Sequence, residues 1–184
     1  MLSQADSDTD SLDSGTTRLR IAGLQAFIHR PATDACPDIA VVAVHQCSAL
    51  GGCAYAVEDV ASAVCAQGLL TVSFDLRGAG DSPGCCCMYP LPLVSGCPEV
   101  SDVVAVCQWV KDNMQRDTWI LGVSAGGPVG AGAVDALESI RGYTSVAYTL
   151  GLVTSLLFAP QVRFQIRLPS VGEGQPIYAR GWRP

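Results

Sequence analysis

The sequence predicts an α/β domain of three layers around a mostly parallel sheet, and three observations carry that prediction. Short continuous apolar runs alternate with stretches of helical period. The runs lack polar alternation, as strands covered on both faces do. A short antiparallel hairpin precedes them. With 184 residues, 49% of them hydrophobic, and a mean hydropathy of +0.31, the chain has material for one core.

Residues 1–17 hold eleven Asp, Ser or Thr and almost nothing apolar, so burial there cannot offset the entropy of ordering. A disordered acidic tail is expected, with the domain beginning at Arg18. Residues 18–21 and 24–28 flank Ala22-Gly23 at the spacing of a two-residue hairpin, although Ala-Gly is a weaker turn signal than Asn-Gly. After a proline-bearing loop come an apolar run at 39–44 and a helix over 55–67, with Val57, Val60, Ala61 and Val64 on one face and Gly68 as its stop. A second run, 69–74, precedes a helix over 99–112. Pro98 and Glu99 open it, and Val100, Val103, Val104, Cys107 and Val110 form its stripe. The third run is 118–123, followed by a helix over 126–140 and a fourth run at 143–148. This alternation builds right-handed crossovers between parallel strands. Past Phe158 the period stops. Residues 159–184 hold four Pro and three Gly, with only 162–168 alternating, so an irregular C-terminal segment is expected.

Eleven Lys and Arg against 17 Asp and Glu leave a net charge of −6, which offers phosphates no basic surface. Nucleic acid is therefore not an expected partner. Charge is also uneven, because 159–184 carry four Arg and one Glu (+3), leaving −9 on the other 158 residues. Nine cysteines follow a polar, acidic N-terminus with no secretory apolar segment, and the acidity also disfavours an organellar transit peptide. Reduced thiols in the cytoplasm are expected. There is no Cys-x-x-Cys pair and there are only two histidines, His29 and His45, so no metal site and no cofactor are expected. The uncharged run 142–162 is long enough to cross a bilayer. Its three Thr, two Ser and two Gly, and its place where a strand is due, favour buried core over a membrane span.

The third run ends in Gly122-Val123-Ser124-Ala125-Gly126, which is Gly-x-Ser-x-Gly between an expected strand and an expected helix. A nucleophilic Ser at such a turn is held in strained geometry, and the glycines two before and two after remove side chains that would collide. The helix behind it brings backbone N–H groups and a positive dipole end to a developing oxyanion. Gly127, Gly130 and Gly132 would let it approach the sheet. The competing explanation is a chance glycine-rich turn in a chain with 19 Gly. Two more segments leave the sheet at the same edge, where open α/β sheets bind ligands. Residues 44–52 (VHQCSALGG) can offer a second oxyanion N–H. Residues 74–82 (FDLRGAGDS) carry Asp75 and Arg77, expected to form an internal ion pair that shapes the loop. His45 is a candidate general base, but its place at a buried strand end favours a loop-fixing hydrogen bond.

The ordered set VHQCSALGG, FDLRGAGDS and GVSAG resembles the α/β-hydrolase superfamily over residues 19–158, and within it a group of plant-type and protist serine hydrolases on the serine aminopeptidase or esterase-like branch. The resemblance implies Ser124 as nucleophile, oxyanion donors at the backbone of Ala125 and of Cys47 or Gln46, and a small ester or amide as substrate. The family usually has Gly or Pro where this chain has Gln46. It also implies an acid and then a His on loops after further strands. No His follows Ser124 here, and the later acids are Asp135, Glu138 and Glu173. The expectation is thus a C-terminally truncated hydrolase domain, missing its last strands, whose Ser lacks a general base. A non-catalytic binding or interaction protein on the same scaffold is the alternative. A nucleotide-binding fold is disfavoured, since no Gly-x-x-x-x-Gly-Lys motif is present and Lys111 is the one lysine.

Overall fold

In the computed structural model, residues 10–12, 15–46, 51–84 and 98–147 are described. Seven strands form one sheet in the order β1-β2-β3-β5-β4-β6-β7. The strands are β1 (Asp10–Leu12), β2 (Thr16–Ile21), β3 (Leu24–His29), β4 (Ile39–Val44), β5 (Leu70–Phe74), β6 (Asp117–Val123) and β7 (Ile140–Val146). β5, β4, β6 and β7 run parallel, and the β2–β3 hairpin joins antiparallel through β3 and β5. The sheet thus starts at Asp10, inside the stretch expected to be a structureless tail. Edge pairing needs only backbone groups, and Thr16 and Thr17 supply β-branched partners on β2.

Among the described residues, three α-helices cover the sheet: α1 (Glu58–Ala66), α2 (Pro98–Met114) and α3 (Gly126–Ala133). The crossover from β4 to β5 runs opposite to those from β5 to β6 and from β6 to β7. Right-handedness therefore puts α1 on one face and α2 with α3 on the other. In keeping with this, α1 packs on β5 and β3, α2 on β4 and β6, and α3 on β6 and β7. Alternate residues of the parallel strands, including Val42, Val72 and Ile120, meet Val103, Val106, Cys107 and Val110 of α2 and Val129 of α3 in the core.

Two boundaries differ from expectation. α3 stops at Ala133 rather than continuing to Ile140, since a helix with glycines at 126, 127, 130 and 132 has little propensity to extend. β7 therefore begins at Ile140, three residues early. The first helix splits into a 3₁₀ turn, Ala54–Val57, and α1. Residues 142–146 of the uncharged stretch lie in β7 of the sheet, and among the described residues no helix is long and apolar enough to cross a membrane. The expected irregular segment at 159–184, and with it the question of further strands, lies outside the described residues.

Candidate active site

The chain leaves β6 through a sharp turn. Ser124 has φ +52°, a left-handed backbone that costs a non-glycine residue about 1–2 kcal/mol. Two hydrogen bonds hold it there: its N–H donates to Val146 O (2.9 Å), and its carbonyl accepts from Gly127 N–H (2.9 Å). Gly122 and Gly126 are required by space. A Cβ at Gly122 would fall 2.6 Å from Gly126 O and Gly127 Cα, and one at Gly126 would run into the carbonyls of Val44 and His45. Gly130 lies against Ile120 and Tyr143, so it does bring α3 close to the sheet, whereas Gly132 is exposed and does not. Ser124 itself is half-buried. Ala125 is the N-cap of α3, one of the first-turn donors that lack a partner within their own helix.

Val44 pairs with Gly122, so Gln46 and Ser124 each lie two residues further along neighbouring strands, at the same edge. Among the described residues, the buried Gln46 side-chain Oε1 has no hydrogen-bond partner. Cys47, the other candidate oxyanion donor, lies outside the described residues. His45 is fully buried. Its Nδ1–H donates to Gln46 O (2.6 Å), and its Nε2 accepts from Leu76 N–H (3.0 Å). A carbonyl can only accept and an N–H only donate, which fixes the neutral Nδ1–H tautomer. Burial pushes the His45 pKa down, against the raising effects of Gln46 O and Asp75. With both nitrogens committed, the ring has no free lone pair to take a proton from Ser124.

The expected Asp75–Arg77 ion pair is not formed. Arg77 instead meets Asp102 of α2, with its Nη2 2.5 Å from Oδ1, its Nε 3.0 Å from Oδ2 and its own backbone N–H donating to Oδ2 at 3.0 Å. Asp102 falls within the buried stripe with Val103, Val106, Cys107 and Val110, and an acid inside an apolar helical stripe was the sequence signal for it. The Asp75 carboxylate is spent on backbone donors, accepting from Ala54 N–H at 2.6 Å and Asp81 N–H at 3.0 Å. Its carbonyl accepts from Ser82 Oγ (2.7 Å), which in turn accepts from Gln25 N–H (2.9 Å), and its N–H donates to Gln25 O (2.8 Å). Asp75 thereby ties the loop after β4, the loop after β5 and the N-terminal hairpin into one unit.

The parallel strands with helices on both faces agree with solved structures. A serine hydrolase without a lid from Xanthomonas campestris is 26% identical, with TM-score 0.63, matching 77% of this chain and 65% of its own. The scaffold is an α/β-hydrolase fold. A serine hydrolase homologue from Coxiella burnetii is likewise 26% identical, with TM-score 0.60 over 83% of this chain and 70% of its own. An esterase from Pyrococcus furiosus, 17% identical with TM-score 0.58, shares the fold over 76% of this chain and 52% of its own. The chain thus spans between 52% and 70% of the length of these proteins. No protein-family model and no curated protein matches it.

Proposed function

We propose that this chain carries the nucleophile turn of a serine hydrolase acting on esters or amides, on the serine aminopeptidase or esterase-like branch of plant-type and protist hydrolases. Ser124 is the acyl-accepting residue, and the backbone of Ala125, with that of Gln46 or Cys47, supplies the oxyanion donors. The observation that supports this most is the left-handed Ser124 between β6 and α3, fenced by Gly122 and Gly126. As the sequence stands, no His follows Ser124, and both nitrogens of His45 are engaged. Without a histidine to take its proton, the Ser hydroxyl is a weak nucleophile at neutral pH. Positioning and oxyanion donors alone leave roughly 10³ to 10⁴-fold over water, so turnover is residual.

The engagement of His45 also favours the alternative, a protein that holds small molecules in the same crevice without chemistry. A fluorophosphonate probe tests the reading: slow labelling confined to Ser124 supports a positioned but unactivated nucleophile, and no labelling at all supports pure binding. A net charge of −6 fits a small-molecule ligand better than nucleic acid. We place the protein in the cytoplasm, where the free thiols of Cys36, Cys53, Cys65 and Cys107 would stay reduced.

A further inference from the structure

The second histidine lies away from Ser124, on the α1 face of the sheet. His29 ends β3 and is 2% exposed. Its Nε2 lies 3.0 Å from Ser73 Oγ of β5, itself fully buried, and its Nδ1 lies 3.3 Å from Thr16 Oγ1 of β2 and 3.7 Å from Glu58 Oε1, the first residue of α1. Three strands and the start of a helix thus meet on one imidazole. We propose that His29 is an acid-sensitive lock that holds the N-terminus of α1 on the sheet while the ring is neutral and releases it when the ring is protonated.

A neutral ring offers one donor and one acceptor, and the hydroxyls of Ser73 and Thr16 each satisfy either. A protonated ring offers two donors and a buried charge. Among the described residues packed around it, β2 presents Thr16 and β5 presents Ser73 and Thr71, none of which is charged. The hairpin arginine Arg18 is occupied with Asp81. α1 presents Glu58, whose side chain is 36% exposed, while the neighbouring Asp59 faces solvent. One half-solvated carboxylate at 3.7 Å is a poor return for burying an imidazolium. In keeping with this, burial lowers the His29 pKa, against the opposing pull of Glu58. Acid therefore favours a state in which the ring is hydrated and the start of α1 has lifted. That start is continuous with the 3₁₀ turn whose Ala54 N–H sits on Asp75, so one proton is coupled to the loop beside Ser124.

Hydrogen exchange on the full chain at pH 7.5 and pH 5.0, corrected for intrinsic chemical exchange, tests the lock. Amides 54–66 are expected to exchange several-fold faster at pH 5.0 while β4 and β6 stay protected. His29→Gln keeps a polar side chain that does not titrate, and is expected to abolish the difference. Glu58→Gln removes the one counter-charge and should enlarge it, which keeps the test informative if the first variant folds poorly. Equal corrected rates at the two pH values in the wild type, a difference that persists in His29→Gln, or one that is unchanged in Glu58→Gln, would overturn the proposal.

Discussion

The turn after β6 and the loop after β5 leave the sheet at the same edge and are fixed by opposite means. At the loop, the buried Asp75 carboxylate and the His45 ring meet backbone donors and acceptors at 2.6–3.0 Å, so geometry is set by saturated hydrogen bonding. At the turn, Ser124 is held in a left-handed conformation chiefly by absent side chains at Gly122 and Gly126, with two backbone bonds. The difference separates a saturated support from a strained turn. Strain is stored at the turn after β6 and absent from the loop, which is fixed by hydrogen bonds alone.

The sharpest way to break this contrast is to add a methyl group to the turn. Gly126→Ala is expected to lower stability by about 3 kcal/mol or more, because the new Cβ meets backbone carbonyls of Val44 and His45 that cannot swing aside. Denaturant unfolding monitored by circular dichroism checks it, and a loss within experimental error of zero would mean that the turn is not close-packed. On the loop side, Asp75→Ala strands the N–H groups of Ala54 and Asp81 and is expected to cost about 2–3 kcal/mol. Asp75→Asn keeps one acceptor and should lose about half as much. Equal losses for Asn and Ala would show that the hydrogen bonds are not what matters.

Acid provides the next test. Burial lowers the pKa of both His29 and His45 below the ordinary 6.5. In the window just below pH 6.5 the unfolded chain therefore binds protons that the folded chain refuses, and stability falls as pH drops. Above pH 6.5 this contribution is fully present. Unfolding midpoints between pH 7.5 and 5 should decline before the carboxylates titrate, and a flat profile over that window would contradict the assignment of two neutral rings.

The smallest effects compare strain with and without purpose. Ala22 also has positive φ, +52°, ahead of Gly23 at +82°, in the hairpin turn between β2 and β3. Ala22→Asn should stabilise by about 0.5–1 kcal/mol, since Asn tolerates this backbone and Asn-Gly suits the turn. Ser124→Gly relieves the same strain and is expected to stabilise by a similar amount while removing the hydroxyl. If only Ala22→Asn stabilises, the turn after β6 stores no strain.

Much of this was legible in the sequence. The apolar runs around Val42, Val72 and Ile120 mark both-face-buried strands, and Gly-x-Ser-x-Gly marks the turn because its glycines are required by contact rather than by composition. What the sequence hid was partnership at a distance. Arg77 and Asp75 are two residues apart, and a local ion pair is the natural expectation. The partner of Arg77 is instead Asp102 on a helix 25 residues away, while Asp75 prefers backbone donors that no pattern of side chains reports. The strand at Asp10 was hidden for a related reason, since an edge strand can pair through its backbone alone.

Ester hydrolysis is the most direct test of the proposal that the turn is assembled while neither His29 nor His45 serves Ser124 as a base. The purified chain is expected to hydrolyse p-nitrophenyl acetate no faster than its Ser124→Ala variant at every pH between 6 and 9. A rate that depends on Ser124 and follows a bell-shaped pH profile would contradict it, and would mean that a proton acceptor reaches the hydroxyl after all.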